Sequence, residues 1–77
     1  MKKLASILAK ILDIPEGKIT DSTSSDNVSN WDSYNSLLMI SEIEEVFKIK
    51  FTMEEIIKVK NVKDIKVLLK KHGVQES

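Results

Sequence analysis

Residues 31–47 read Trp31-Asp32-Ser33-Tyr34-Asn35-Ser36-Leu37-Leu38-Met39-Ile40-Ser41-Glu42-Ile43-Glu44-Glu45-Val46-Phe47. A polar run gives way here to a helical pattern, and an Asp-Ser pair stands at the boundary. Asp and Ser both favour a helix N-cap, because a side-chain oxygen at that position accepts a hydrogen bond from an orphan N–H of the first turn. The plain reading is that Asp32 and Ser33 do nothing but cap. A sharper reading makes the Ser33 hydroxyl a point of covalent attachment, since the free N–H groups and the dipole of a helix start favour a phosphate. Local chemistry permits both.

Within this stretch Met39, Ile40, Ile43, Val46 and Phe47 fall on one face at about 100° per residue. They are the expected core side. Tyr34, Leu38, Ser41 and Glu45 fall opposite, with Leu37 at the margin, so two large apolar side chains are expected to face solvent just beyond Ser33. Glu44 and Glu45 are sequence neighbours whose side chains diverge, which does not suit paired-carboxylate catalysis.

Upstream, Leu4, Ile7, Leu8, Ile11 and Leu12 follow the i, i+3, i+4 rule and predict an amphipathic helix over about 2–13. Two lysines before apolar residues resemble a signal peptide, but Lys10 interrupts the run, and the helical spacing favours a core helix. Pro15 and Gly17 break it. From Ile14 to Asp32 runs a connection rich in Ser, Thr, Asp and Asn. Ile14, Ile19, Val28 and Trp31 are spaced to pin it to the core, which predicts an ordered path with a looser middle and Trp31 as the anchor that fixes Ser33. Asp21, Thr23, Ser25, Asn27 and Asp32 fall at the ligand spacing of a calcium loop. Asp26 at the sixth position, where such loops need Gly, and the scarcity of carboxylates argue against calcium.

Downstream, Thr52-Met53-Glu54-Glu55 is a capping box for a short helix over about 53–58, with Ile56 and Ile57 as its apolar side. Asn61 caps a last helix over about 62–72. Its stripe is Val62, Ile65, Leu68 and Leu69, and Gly73 stops it. Lys63, Lys66, Lys70 and Lys71 lie mostly off that stripe and read as a solvated face. His72 suits the negative end of the helix dipole. The tail from Val74 to Ser77 is expected to fray.

The chain has 77 residues, no cysteine, two glycines, one proline and only four aromatic residues, so an all-α single domain is expected, a small four-helix bundle with a long first loop and a short third helix. Twelve basic and twelve acidic residues cancel, which argues against a general nucleic-acid binder. A single histidine and no cysteine leave no metal site or nucleophilic triad, and no Gly-rich phosphate loop is present. No stretch approaches the length needed to cross a membrane, and a cytoplasmic monomer is expected. The chain reads as something acted upon rather than a catalyst.

The order of these elements from about Leu4 to His72 resembles the acyl carrier protein family, which includes peptidyl carrier domains. Asp32-Ser33-Tyr34 matches the family's Asp-Ser-Leu, the acid-rich Glu42-to-Phe47 segment follows at the family's distance, and Trp31-Asp32-Ser33 is similar to the Trp-Asp-Ser-Leu variant of specialised, stand-alone bacterial carriers. The resemblance implies that Ser33 receives 4′-phosphopantetheine from coenzyme A through a separate Mg-dependent phosphopantetheinyl transferase, with Asp32 helping to fix it. The arm's thiol then holds acyl or aminoacyl groups as thioesters, so the missing cysteine is no obstacle. Implied partners are that transferase, an acyl- or aminoacyl-loading ligase and downstream acyl-processing enzymes, met through Tyr34, Leu37, Leu38, Ser41, Glu44 and Glu45. Tyr34 stands where Leu is usual, Leu38 where many members carry an acid, and the net charge is zero where the family is commonly acidic. These departures favour one specialised pathway over housekeeping fatty acid synthesis. The competing class is an unmodified helical adaptor that recognises partners through Tyr34, Leu38 and the acidic end of the second helix.

Overall fold

The computed structural model describes residues 2–74. Its architecture is all-α, with four helices: α1 (Lys2–Leu12), α2 (Ser33–Phe47), α3 (Met53–Ile57) and α4 (Val62–Lys71). A 3₁₀ turn at Glu16–Lys18 interrupts the long first connection. The tail expected to fray lies outside the described residues from position 75 onward.

The starts of α2, α3 and α4 are each set by a side chain that the sequence places there. Asp32 accepts from the Asn35 N–H, Thr52 and Glu55 form the reciprocal capping box, and Asn61 accepts from the Asp64 N–H. The three longer helices end alike, on a left-handed residue with a hydrogen bond reaching back across the last turn. Asp13, Lys48 and Gly73 have φ of 58°, 56° and 81°. The following amides, of Ile14, Ile49 and Val74, reach Ala9, Glu44 and Leu69 at 3.1, 3.1 and 2.9 Å. Asp13 therefore lies beyond α1 rather than in it, and α3 and α4 each stop one residue short of the expected ends.

α1 packs on α2 and on the 3₁₀ turn. One apolar cluster joins Leu4, Ile7, Leu8 and Leu12 of α1 to Met39, Ile40 and Ile43 of α2, to Trp31 and Phe51 from the connections, and to Val62, Ile65 and Leu69 of α4. Val46 departs from its expected place and is 39% exposed. It sits in the last turn of α2, outside the apolar cluster. Phe47 and Leu68 pack only at the cluster's edge, and Ile57 faces out while Ile56 packs inward.

The middle of the long loop is tied rather than loose. Thr23 is buried, and its hydroxyl accepts from the Thr20 N–H at 2.9 Å. Carbonyls of Thr23 and Asp21 take the N–H groups of Val62 and Lys63 at 3.0 and 3.1 Å, beside a bridge between Ser24 and Asn61. With the Asn61 side chain on Asp64, the first three amides of α4 are all satisfied, two of them by a loop about forty residues away. Four of the five residues that align with calcium ligands have other partners. The Asp21 carboxylate is paired with Lys66 at 2.6 Å, and the Asn27 side chain bonds Ser24 and Ser22. Lys66 and Lys71 are thus not merely solvated, since Lys71 meets Glu55 at 3.2 Å.

Glu55 joins α3 to the end of α4. Besides its capping bonds, its carboxylate lies 3.1 Å from His72 Nε2 through both oxygens, and the His72 ring meets Phe51 edge-on at 5.2 Å. His72 is therefore a tertiary contact as well as a helix-end residue. The Thr52 N–H first, then His72 and Lys71, hold the Glu55 carboxyl down to about 2 against the opposing effect of burial.

Two outcomes follow from this packing. Ile43→Ala should cost roughly 2–5 kcal/mol in urea denaturation, whereas Val46→Ala should cost less than about 1 kcal/mol. Because the Glu55 carboxyl is depressed from its ordinary 4.5 to about 2, its contribution is fully present above pH 4.5 and is lost as pH falls through about 2. Denaturation midpoints measured across that window should fall less steeply for Glu55→Gln than for the parent chain.

Candidate functional site

The site is the junction of the long loop with α2. Trp31 is buried at 6% exposure, so the residue before the cap is fixed by the core. The Trp31 N–H bonds the Val28 carbonyl at 3.0 Å, and the Asn30 side-chain amide bonds the Leu12 carbonyl at 2.7 Å, which ties the loop's end to the C-terminus of α1. Asn35 ties back from α2 by donating to the Asn30 carbonyl at 2.8 Å. Neither asparagine is conspicuous in the sequence.

Asp32 is the cap, with extended backbone, its Oδ1 2.8 Å from the Asn35 N–H and its carbonyl accepting the Ser36 N–H at 2.8 Å. Ser33 is consequently the first residue of α2, exposed, with its hydroxyl not used as a cap. The N–H groups of Ser33 and Tyr34 precede the first intrahelical bond and make no other among the described residues. An anion held at the Ser33 oxygen would meet those donors and the positive end of a 15-residue helix.

Beside the hydroxyl lies an open cleft of about 390 Å³, walled by Trp31, Asp32, Ser33 and Ser36 on one side and by Ser25, Val59 and Lys60 on the other. The second wall was not legible, because it depends on long-range contacts of Asp21, Thr23 and Ser24 with the start of α4. The residues fit a phosphodiester-linked arm: an exposed hydroxyl, unpaired amides and an open channel alongside.

Of the residues expected to meet partners, Tyr34, Leu37 and Leu38 are exposed by 73%, 60% and 41%. Leu37 is thus more open than Leu38, not marginal. Ser41 and Glu45 are exposed too. Glu44 is half-buried and turned away, its Oε2 accepting the Phe51 N–H at 2.8 Å, because the amide after the left-handed Lys48 turn needs an acceptor. The sequence reading missed Met53 and Ile57, exposed by 71% and 63% on α3. Their i, i+4 spacing was visible, but five residues are too few for a periodic signal.

An exposed hydroxyl beside unpaired amides at a helix start, on a four-helix scaffold, has the geometry that a covalently held phosphate needs. The family model for the phosphopantetheine attachment site matches residues 2–68. A solved structure, the holo acyl carrier protein of Geobacter metallireducens in solution, is similar at 30% identity and a TM-score of 0.75, over 99% of this chain and 93% of that one. No curated protein matches the sequence. The chain belongs to the acyl carrier protein family, and its cofactor is covalently attached 4′-phosphopantetheine.

Because Asp32 rather than Ser33 caps α2, Asp32→Ala should lower stability by about 0.5–2 kcal/mol. Ser33→Ala should stay within about 0.5 kcal/mol of the parent. Thermal or urea unfolding of the two unmodified variants checks the ranking.

Proposed function

We propose that this chain carries acyl or aminoacyl intermediates as thioesters on a 4′-phosphopantetheine arm attached to Ser33, for one specialised biosynthetic pathway. The observation that carries the assignment is the exposed Ser33 hydroxyl at the first position of α2, beside two unpaired amides and held by a cap it does not itself provide. In the transfer from coenzyme A the hydroxyl loses its proton and its Oγ forms a bond to the phosphorus that bears the pantetheine arm, while the pyrophosphate P–O bond breaks and adenosine 3′,5′-bisphosphate leaves. The chemistry is done by a separate phosphopantetheinyl transferase, and the chain's own part is to present the oxygen. Once bound, the arm supplies the thiol that this cysteine-free sequence lacks. The carrier itself is non-catalytic, works in the cytoplasm, and is a substrate for the transferase, a loading ligase and acyl-processing enzymes. No helix among the described residues is long and apolar enough to cross a membrane.

Partner recognition centres on the exposed face of α2. Its first turn has no acid, and Tyr34, Leu37 and Leu38 are neighbours at i, i+3 and i+4 spacing. Buried apolar anchors give affinity that salt does not screen, whereas Glu45 steers the encounter.

Intact-mass analysis after incubation with coenzyme A and a broad-specificity transferase should show one arm on the parent chain and none on Ser33→Ala. An arm retained by Ser33→Ala, or mapped to Ser36, would refute the assignment. Binding kinetics of the modified carrier with its loading enzyme should show Leu37→Glu and Leu38→Glu speeding dissociation at all salt concentrations, while Glu45→Lys lowers a salt-sensitive association rate.

A further inference from the structure

We propose that Lys60 is the counter-charge of the arm's phosphodiester, holding the start of the arm in the cleft between α2 and the α3–α4 connection. The inference rests on Ser33 carrying the arm. Attachment there puts a second anion next to the Asp32 carboxylate, whose charge is only partly offset by the Asn35 N–H and the helix dipole. Lys60 lines the same cleft from the opposite wall. Its side-chain ammonium has no hydrogen bond or ion pair among the described residues, in contrast to Lys66 and Lys71, which are already committed to Asp21 and Glu55.

Its position is fixed while its charge stays free. The Lys60 N–H bonds Asp64 Oδ2 at 2.9 Å, and the next residue, Asn61, bridges to Ser24 and caps α4. The backbone is therefore stitched to both the loop and the last helix. From that anchor a four-carbon stem lets the ammonium sweep the cleft mouth and follow the diester. Lys58, two residues earlier, lines a different groove with Val67 and Leu68. Lys63 and Lys70 are exposed on α4 and line no part of this cleft.

Lysine footprinting with acetic anhydride, mapped by mass spectrometry on the unmodified and modified chains, tests the pairing, with intact mass reporting the arm in the same samples. At low ionic strength the arm should slow acetylation of Lys60 about two- to fivefold, the effect of an exposed ion pair on the free-amine fraction. Lys63 and Lys70 should not change, and the protection of Lys60 should vanish in about 1 M salt. An arm present by mass with Lys60 reacting as before overturns the inference and leaves the Ser33 reading intact. Protection that survives high salt also overturns it, because the arm would then only cover the amine. A chain that accepts no arm refutes both.

Discussion

The bond from the Asn35 N–H to the Asp32 carboxylate decides where α2 begins, and the rest of the molecule depends on that point. A start elsewhere would leave the unpaired amides of the first turn beside a different residue. The cap therefore sets which hydroxyl stands at the mouth of α2, while the stripe of Met39, Ile40 and Ile43 sets which face is buried. Trp31 holds the cap from the core side, and the two asparagine bonds, Asn30 to Leu12 and Asn35 to Asn30, close the junction against the end of α1.

The long loop looks at first like a liability in so small a domain, since it orders many residues with little apolar burial. Its hydrogen bonds explain why it is retained. By placing two carbonyls on the first amides of α4 it completes that helix's start, and in doing so it brings the α3–α4 connection alongside Ser33. The second wall of the cleft is thus a consequence of capping α4. At the other end, Glu55 holds α3 to α4 through Lys71 and His72, which leaves the outward side of α3, Met53 and Ile57, free of internal duties.

Legibility in the sequence followed the range of the interactions. Caps are local, so Asp32, Thr52 with Glu55, and Asn61 were readable from residue type and spacing alone. Helical stripes are nearly local, and Leu8, Met39, Ile43 and Ile65 fell where periodicity put them. The failures needed a third dimension. Val46 keeps the right angle on its helix but lies in the last turn, outside the apolar cluster. Glu44 carries the charge of a surface residue but answers the Phe51 amide. His72 has no sequence signal for its contact with Glu55, seventeen positions away, and Lys60 reaches the site through loop-to-α4 contacts that no periodicity announces. Ser33 itself was visible as a cap-like serine, and only the resemblance of its Asp-Ser pair to the family's motif spoke for an attachment point over an ordinary helix start.

If the junction geometry is what makes Ser33 an acceptor, loosening it without touching the serine must slow modification. The most direct measurement is the single-turnover rate of arm transfer to Asn30→Ala and Asn35→Ala, at a temperature where circular dichroism shows both variants folded. The account predicts rates about tenfold or more below the parent chain, since small misplacements of a reacting atom are costly. Parent-like rates in both folded variants would contradict it, showing that the transferase organises the serine for itself.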